Sequence, residues 1–166
     1  MYNTDMAIFF TSDMHMHHKR IREFNPDTRL GSSVEEMNEI MIDNWNSQVS
    51  FNDDVYNLGD FCFGTEQQTF DILSRLNGRH HFIYGNHDKV IYKSNRCKEL
   101  FASMNDYLIL RQRDLKIVMF HFPCIAWDSM HYGSIHCFGH VHGSHMNKPR
   151  GKSMDVGIDT RPKGLS

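Results

Sequence analysis

Five strand-like apolar runs in this chain each end at side chains of the kind that bind metal ions. The runs cover residues 7–12, 55–58, 81–84, 117–120 and 135–138. They are followed in turn by Asp13-Met14-His15, Gly59-Asp60, Gly85-Asn86-His87-Asp88, His121 and Gly139-His140-Val141-His142. Because the carboxyl ends of adjacent strands meet at one edge of a sheet, the pattern predicts that these side chains converge there.

The residue types are those that two neighbouring cations require. Carboxylate and amide oxygens together with imidazoles suit Mn, Fe, Zn or Ni, and one carboxylate must bridge the pair so that a water held between them becomes hydroxide near neutral pH. Asp-x-His or Gly-Asp alone also occurs in helix caps and turns. The prediction of a two-metal site therefore depends on all five segments occurring in this order, each after its own strand.

In this order the five segments resemble the motifs of the calcineurin-like metallophosphoesterases. Residues 34–61 and 153–159 resemble the small uncapped members from bacteria and their phages, so that the similarity covers nearly the whole chain. The resemblance implies an α/β fold, a four-layer αββα sandwich in which two mixed β-sheets are flanked by helices, with a dinuclear metal site at the strand ends. At 166 residues, the length is that of a single domain over residues 1–166.

The resemblance also implies a role for each residue of the motifs. Asp60 would bridge two divalent transition-metal ions, with manganese expected first and iron, zinc or nickel as alternatives. The other ligands would be Asp13, His15 and His142 for the first metal and Asn86, His121 and His140 for the second. His87 would stay free of metal and donate a proton to the leaving oxygen, while Asp88 would orient its ring.

The implied activity is hydrolysis of a phosphoester by the metal-bridging hydroxide. The chain has no room for a cap domain, and the resulting open site favours a phosphodiesterase acting on nucleotides or nucleic-acid-derived diesters. The alternatives are a phosphomonoesterase or protein phosphatase, and a non-catalytic binding module that keeps this fold. Since both Asp60 and His87 are present, the enzyme is favoured over the binding module.

Substrate contacts are less well defined by the sequence. His18, Trp127 and His131 resemble positions at the mouth of the family's active site; Trp127 would stack on a nucleobase there, or else it is a core residue. Basic side chains beyond the motifs either attract an anionic phosphoester, such as a nucleotide or a nucleic-acid end, or are solvated loop charges. They are Lys19, Arg20, Arg22, Lys89, Lys93, Lys148, Arg150 and Lys152.

Composition limits the partners and the compartment. A formal net charge of -2 gives no general affinity for nucleic acid, and four cysteines without close pairs indicate free thiols in a reducing compartment. No apolar run approaches membrane-spanning length, and a polar amino terminus leads directly into the first strand. We expect a cytoplasmic protein of a bacterial or phage-infected cell with no membrane partner; the sequence does not indicate an oligomeric state.

Between the motifs, helical and strand patterns alternate. Helices are predicted over residues 34–47, 66–76 and 97–104, the first with Ser33 as N-cap and Glu36 completing a capping box, and the second ending at Asn77-Gly78. The runs 106–110 and 115–120 are predicted to form a hairpin. Strands interleaved with helices, followed by this hairpin, indicate α/β layers.

Overall fold

The computed structural model describes residues 6–144 and 151–160, which form two β-sheets with helices packed around them. The strands are β1 (Ile8–Thr11), β2 (Asp54–Asn57), β3 (Arg79–Ile83), β4 (Phe101–Asn105), β5 (Tyr107–Gln112), β6 (Leu115–Phe120), β7 (Ile135–Phe138) and β8 (Ser153–Asp155). The α-helices are α1 (Ile21–Phe24), α2 (Val34–Gln48), α3 (Glu66–Leu73), α4 (Lys89–Lys93) and α5 (Asn95–Lys98). All five strands predicted ahead of the ligand motifs are confirmed.

The two sheets have the orders β1-β2-β3-β4 and β5-β6-β7-β8, and the predicted sandwich is confirmed. One detail differs, because the first sheet is parallel throughout rather than mixed. Each connection within it passes through at least one helix, which returns the chain to the same edge before the next strand begins. The second sheet is mixed, with the predicted β5–β6 hairpin antiparallel and the β6–β7 and β7–β8 pairs parallel.

Alternating side chains of the first sheet supply two apolar cores. Val55 and Phe82 face the helices and pack in one cluster with Met37 and Trp45 of α2. Their neighbours Tyr56 and Ile83 belong to a second cluster, which side chains of the other sheet complete, including Ile117, Met119 and Cys137. The two sheets are thus held face to face by this second core, and their carboxyl strand ends lie together.

The helix ends follow the predicted chemistry only in part. The Ser33 hydroxyl accepts a hydrogen bond from the Glu36 backbone N–H at 3.0 Å, but the Glu36 carboxylate bonds Ser32 instead of closing a capping box. A complete capping box begins α3, formed by Thr65 and Gln68. This helix ends at Leu73, three residues earlier than predicted, because tighter turns lead into Gly78 with its φ of 102°.

The helix predicted over residues 97–104 is wrong. The short helix α5 ends at Lys98, before most of the predicted range. The residues after Leu100 form β4, which pairs in parallel with β3. Phe101 packs on Phe82 with ring centroids 4.9 Å apart, so burial against the sheet decides the conformation. The periodicity of a short apolar run does not by itself tell whether the run forms a helix or a strand.

The segment 124–134, which includes a 3-10 helix at Met130–Tyr132, packs on the outer face of the second sheet through Cys124 and Trp127. His136 of β7 points to this face, since its neighbours Ile135 and Cys137 belong to the core between the sheets. The Trp127 ring packs on it at 5.1 Å. Within residues 6–144 and 151–160, no helix is long and apolar enough to cross a bilayer.

Candidate metal centre

The predicted ligand motifs lie where the carboxyl ends of the two sheets meet, and backbone hydrogen bonds hold the motifs to one another. The Asp13 N–H donates to the Gly59 carbonyl at 2.9 Å, and the His15 N–H donates to the Asp60 carbonyl at 3.0 Å. Gly139 N–H donates to the carbonyl of His121 at 2.9 Å. The loops that carry the ligands are therefore fixed by the strands they follow.

Two groups of side chains in the described residues can each hold a metal ion. In each group, one ligand atom from every residue lies within 4.8 Å of the others. The groups are Asp13, His15 and His142, and Asp60, His121 and His140. The Asn86 amide oxygen lies 3.0 Å from Nε2 of His121, beside the second group. This grouping matches the two ligand sets that the family resemblance implies.

Asp60 occupies the position that a shared ligand requires. Its Oδ2 lies 3.7 Å from His15 Nε2 in the first group and 3.6 Å from His121 Nε2 in the second. Its Oδ1 accepts a hydrogen bond from the His87 backbone N–H at 2.9 Å. One carboxylate oxygen is thereby held by the protein, while the other faces both groups.

The chemistry of the donor set fits metal ions. Both ring nitrogens of His15 are buried without a hydrogen-bond partner in the described part of the chain. An unsatisfied buried polar group costs about 1–3 kcal/mol, and coordination would remove that cost. Burial alone raises the pKa of Asp13, but the imidazoles of His15 and His142 hold this pKa below its usual value, so that the carboxylate stays ionised. Imidazoles with two carboxylates favour transition metals over Mg or Ca.

Two of the ligand histidines are oriented by hydrogen bonds from their other ring nitrogen. His121 Nδ1 lies 2.6 Å from the Leu58 carbonyl, which turns Nε2 toward the second group. His142 Nδ1 lies 2.6 Å from Oδ2 of Asp159, which leaves Nε2 facing the first group. Burial lowers the pKa of His142, but the Asp159 and Asp13 carboxylates outweigh it and raise this pKa above its usual value. Such outer contacts fix the tautomer of a metal-binding histidine.

Arg29 is a further part of the site, which the sequence analysis missed. It is buried, and it donates to both carboxylate oxygens of Asp159, at 3.0 Å from Nε and 2.9 Å from Nη2. It also donates to the backbone carbonyls of Asp13, at 2.6 Å, and Met14. A lone arginine in a loop carries no sequence signal, whereas Asp159 lies in the resembling segment 153–159 and was assigned no role.

Five of the seven predicted ligand residues have a left-handed backbone, a conformation that is uncommon outside glycine. Their φ angles are 57° for Asp13, 49° for His15, 54° for Asp60, 71° for His140 and 48° for His142. Such conformations cost about 1–3 kcal/mol each and occur where the surrounding structure enforces them, often at functional sites. The fold therefore holds the ligands in place at the expense of backbone strain.

Two motif glycines are required by close approach to ligand side chains. A Cβ at Gly85 would lie 2.3 Å from Oδ1 of Asp60. A Cβ at Gly139 would lie 2.5 Å from Oδ2 of Asp13 and closer still to Ser12. Neither contact is sterically possible, so any larger residue would displace a carboxylate of the metal centre.

Asp88 does not have its predicted role of orienting the His87 ring. Its buried carboxylate accepts hydrogen bonds from the backbone N–H groups of Asp60 at 2.8 Å, Phe61 at 2.9 Å and Gly85 at 2.7 Å. It thereby holds the Gly-Asp loop against the Gly-Asn-His-Asp loop. Burial raises the pKa of Asp88 to about 6.

The mouth of the site has an aromatic residue that the sequence analysis did not select. Phe63 is 37% exposed and stacks on His15 with centroids 5.0 Å apart. The predicted mouth residue His18 contacts the same ring at 4.4 Å, and the exposed His87 contacts it at 4.9 Å. On the other side, Phe122 is 36% exposed and packs on the second group, 4.7 Å from His140.

The structure supports the core interpretation of Trp127 and not its predicted contact with substrate. The ring is only 8% exposed, packs on His136, and donates from Nε1 to the Ser134 hydroxyl at 3.0 Å. Little of its surface remains for a substrate. His131 lies exposed in the 3-10 helix Met130–Tyr132, and its predicted substrate contact stays a prediction.

Several of the predicted basic residues lie beside the metal centre. Lys19 lines a cavity next to Phe63, while Lys89 and Lys93 line a smaller cleft of about 240 Å³ next to Asn86. Three others have contacts elsewhere: Arg20 pairs with Glu23, Arg22 donates to the Gly31 carbonyl, and Lys152 lies close to Gly133. The predicted residues Lys148 and Arg150 lie outside the described residues.

Comparison with known proteins places the chain among its relatives. It is 31% identical over 159 residues to the uncharacterized protein MJ1445 of Methanocaldococcus jannaschii, an alignment that covers 92% of this chain and 81% of MJ1445. The chain belongs to the same family as MJ1445. No family model matches it.

Two solved structures resemble this member of the MJ1445 family. The protein of unknown function AQ665 from Aquifex aeolicus matches with a TM-score of 0.75 and 22% identity, over 97% of this chain and 95% of AQ665. A protein described as a novel archaeal phosphodiesterase matches with a TM-score of 0.53 and 19% identity, over 92% of this chain and 84% of the phosphodiesterase chain. At these identities the comparisons show the fold alone, two β-sheets packed face to face with helices around them.

Proposed function

We propose that this chain is a metal-dependent phosphodiesterase that acts on nucleotides or nucleic-acid-derived diesters. The observation that carries the proposal is the position of Asp60 Oδ2, which faces a ligand nitrogen of both metal groups at 3.6–3.7 Å. A carboxylate shared between two such groups is the arrangement of a dinuclear centre. The fold shared with an archaeal phosphodiesterase agrees with this proposal.

The described residues supply a ligand set for each metal. Asp60 would serve both, with Asp13, His15 and His142 on the first metal and Asn86, His121 and His140 on the second. When bound, two divalent transition metals such as Mn, Fe, Zn or Ni would polarise the phosphoryl oxygens and activate the attacking water. Arg29 and Asp159 keep His142 oriented for its metal.

His87 is assigned to the leaving group. Its ring is exposed at the mouth of the site, and its backbone N–H is tied to Asp60 Oδ1, so the side chain stays next to the bridging carboxylate. Imidazole carries a transferable proton near neutral pH. In this proposal His87 donates that proton to the departing ester oxygen, which would otherwise leave as an unstable alkoxide.

An activity screen tests the proposal. Phosphodiesters, cyclic nucleotides and matching phosphomonoesters are offered to protein loaded separately with Mn, Ni, Zn or Mg, and Asp60→Asn serves as the metal-deficient control. We expect diester hydrolysis with a transition metal and its loss in Asp60→Asn. A higher kcat/KM for monoesters would indicate a phosphatase instead. Two bound metals without any hydrolysis would indicate a binding module.

A further inference from the structure

A cavity of about 540 Å³ opens beside the metal centre, on the side of the first metal group. Its volume is in the range of small-molecule binding sites. Its polar, charged and aromatic lining consists of His17, Lys19, Glu35, Phe63, Thr65 and Gln68. No residue of the predicted ligand set lines it, so the cavity is separate from the metal groups themselves.

Phe63 connects the cavity to the reacting centre. Its ring lines the cavity and stacks on the ligand His15 at 5.0 Å, and it lies 4.9 Å from the ring of His87. A general acid must lie next to the oxygen that it protonates, and this oxygen belongs to the leaving group. The leaving group therefore lies on the His87 side of the phosphorus, which is the side where the cavity opens.

The lining of the cavity suits a planar ring that carries hydrogen-bonding groups. Phe63 supplies an aromatic surface, and bases stack on such surfaces regardless of sequence. Thr65 and Gln68 supply polar side chains, and Lys19 and Glu35 supply one charge of each sign. A simple alkyl alcohol would use none of these polar groups, whereas a nucleoside would use both the aromatic and the polar parts.

Backbone strain at His17 points to the same place. Eight non-glycine residues in the described ranges have positive φ, and five of them belong to the predicted ligand set. Arg113 forms the hairpin turn and Ser129 precedes a 3-10 helix. The remaining one is His17, with φ of 59°, whose N–H donates to the Asn38 side chain at 3.1 Å. Strained residues cluster at functional positions, and this one lines the cavity.

We infer that this cavity binds the leaving nucleoside of a phosphodiester, with Phe63 stacking on the base. The inference rests on the proposed phosphodiesterase activity and adds to it the position and chemical class of the leaving group. Phe63 is then a specificity-determining residue. It selects among diesters without taking part in the bond cleavage.

The test compares two diesters that differ only in the base. A dinucleoside monophosphate is compared with the analogue whose leaving sugar is abasic, so that the leaving alcohol has nearly the same acidity. Stacking of one base is worth about 1–3 kcal/mol, which predicts a kcat/KM ratio of about 5- to 160-fold in favour of the nucleoside. In Phe63→Leu this ratio should fall by about fivefold or more, because the aromatic surface is lost while the polar side chains of the cavity remain. A ratio unchanged in Phe63→Leu would overturn the assignment.

Phe122→Leu is the matched control, because Phe122 is equally exposed but packs on the histidines of the second group. This variant should keep the nucleoside preference. A preference lost in Phe122→Leu and kept in Phe63→Leu would place the leaving group on the opposite side. A preference lost only in Tyr92→Ala would place it in the smaller cleft beside Asn86.

A binding measurement separates this inference from the proposed activity. Adenosine, which carries no phosphate, is titrated by calorimetry into the metal-loaded wild type and into Phe63→Leu. We expect a Kd at least about fivefold higher in the variant, the lower bound for one stacked base. If no diester is hydrolysed yet adenosine binding depends on Phe63, the activity fails and the cavity assignment stands. If diesters are hydrolysed but neither the nucleoside-to-abasic kcat/KM ratio nor the adenosine Kd depends on Phe63, the cavity assignment alone fails.

Discussion

His142 Nδ1 lies 2.6 Å from Oδ2 of Asp159, and the same carboxylate is held by the buried Arg29. The imidazole is therefore fixed in one tautomer with Nε2 toward the first metal group. Arg29 reaches past Asp159 to the carbonyls of Asp13 and Met14, so one side chain supports the ligand carboxylate and the ligand imidazole together. Burial alone would raise the pKa of Asp159. The hydrogen bonds from His142 and Arg29 instead hold this pKa far below its usual value, so the carboxylate stays ionised.

Asp159→Asn should weaken the first metal site while leaving the second nearly unchanged. The amide keeps the size of the carboxylate but loses the charge that orients His142, and such outer contacts are worth about 10–100-fold in metal affinity. Metal titration followed by calorimetry measures the effect. Asp128→Asn is the control, since Asp128 pairs with Lys116 at the surface. Equal affinities in wild type and Asp159→Asn would show that the contact does not support metal binding.

Asp60→Asn should release both metals, whereas Asn86→Ala should release only the second. The reason is that Asp60 Oδ2 faces both groups, while Asn86 lies beside His121 alone. Elemental analysis of reloaded protein gives the number of metals per chain. One metal retained in Asp60→Asn would mean that this carboxylate is not shared.

His87→Ala should retain both metals and lose activity. Its side chain is exposed at the mouth and belongs to neither metal group, so its removal affects proton donation and not coordination. General acid–base groups contribute about a hundredfold to ten-thousandfold in rate, and kcat should fall within that range. A substrate with a highly acidic leaving alcohol should be much less affected. Loss of metal in step with activity would move His87 into the ligand set.

The placement of the ligands can be predicted from the sequence because it depends on where each ligand stands relative to the preceding strand. Each strand is short, and its first ligand follows within three residues, so that His121 after β6 or Asp13 after β1 must reach the same edge of the sandwich. The helical connections of the first sheet make all its strands parallel, whereas two mixed sheets were expected. The local pattern does not determine the conformation of the short segment after Leu100. There, contact of Phe101 with Phe82 makes β4 a strand.

The supporting residues were missed for a different reason. Arg29 and Asp159 are 130 positions apart and meet only because the fold brings them together. The family resemblance assigns Asp88 to the His87 ring, but its carboxylate binds three backbone N–H groups of neighbouring loops. Phe63 follows the Gly-Asp motif without any polar group that would mark it. Contacts of this kind depend on tertiary structure, which a single sequence does not show.

The buried His136 should make the protein less stable as the pH drops below neutrality. Burial lowers the pKa of His136, and both ring nitrogens are already used: Nδ1 donates to the Val118 carbonyl and Nε2 accepts from the Cys124 N–H, each at 3.1 Å. A second proton would remove the latter bond. Since the unfolded chain binds this proton more readily, the contribution is fully present above about pH 6.5 and is lost below it.

The variant His136→Gln tests this, because its amide can donate and accept at similar positions but does not titrate. Urea unfolding of metal-free protein at pH 7.5, 6.5 and 5.5 gives the free energies of unfolding; the ligand histidines titrate alike in both proteins and cancel. One proton changes stability by at most about 1.4 kcal/mol per pH unit, and His136→Gln should show a correspondingly smaller loss than wild type. His131→Gln, in the exposed 3-10 helix, should behave like wild type. An unchanged pH dependence in His136→Gln would mean that His136 binds its proton equally well in the folded and unfolded chain.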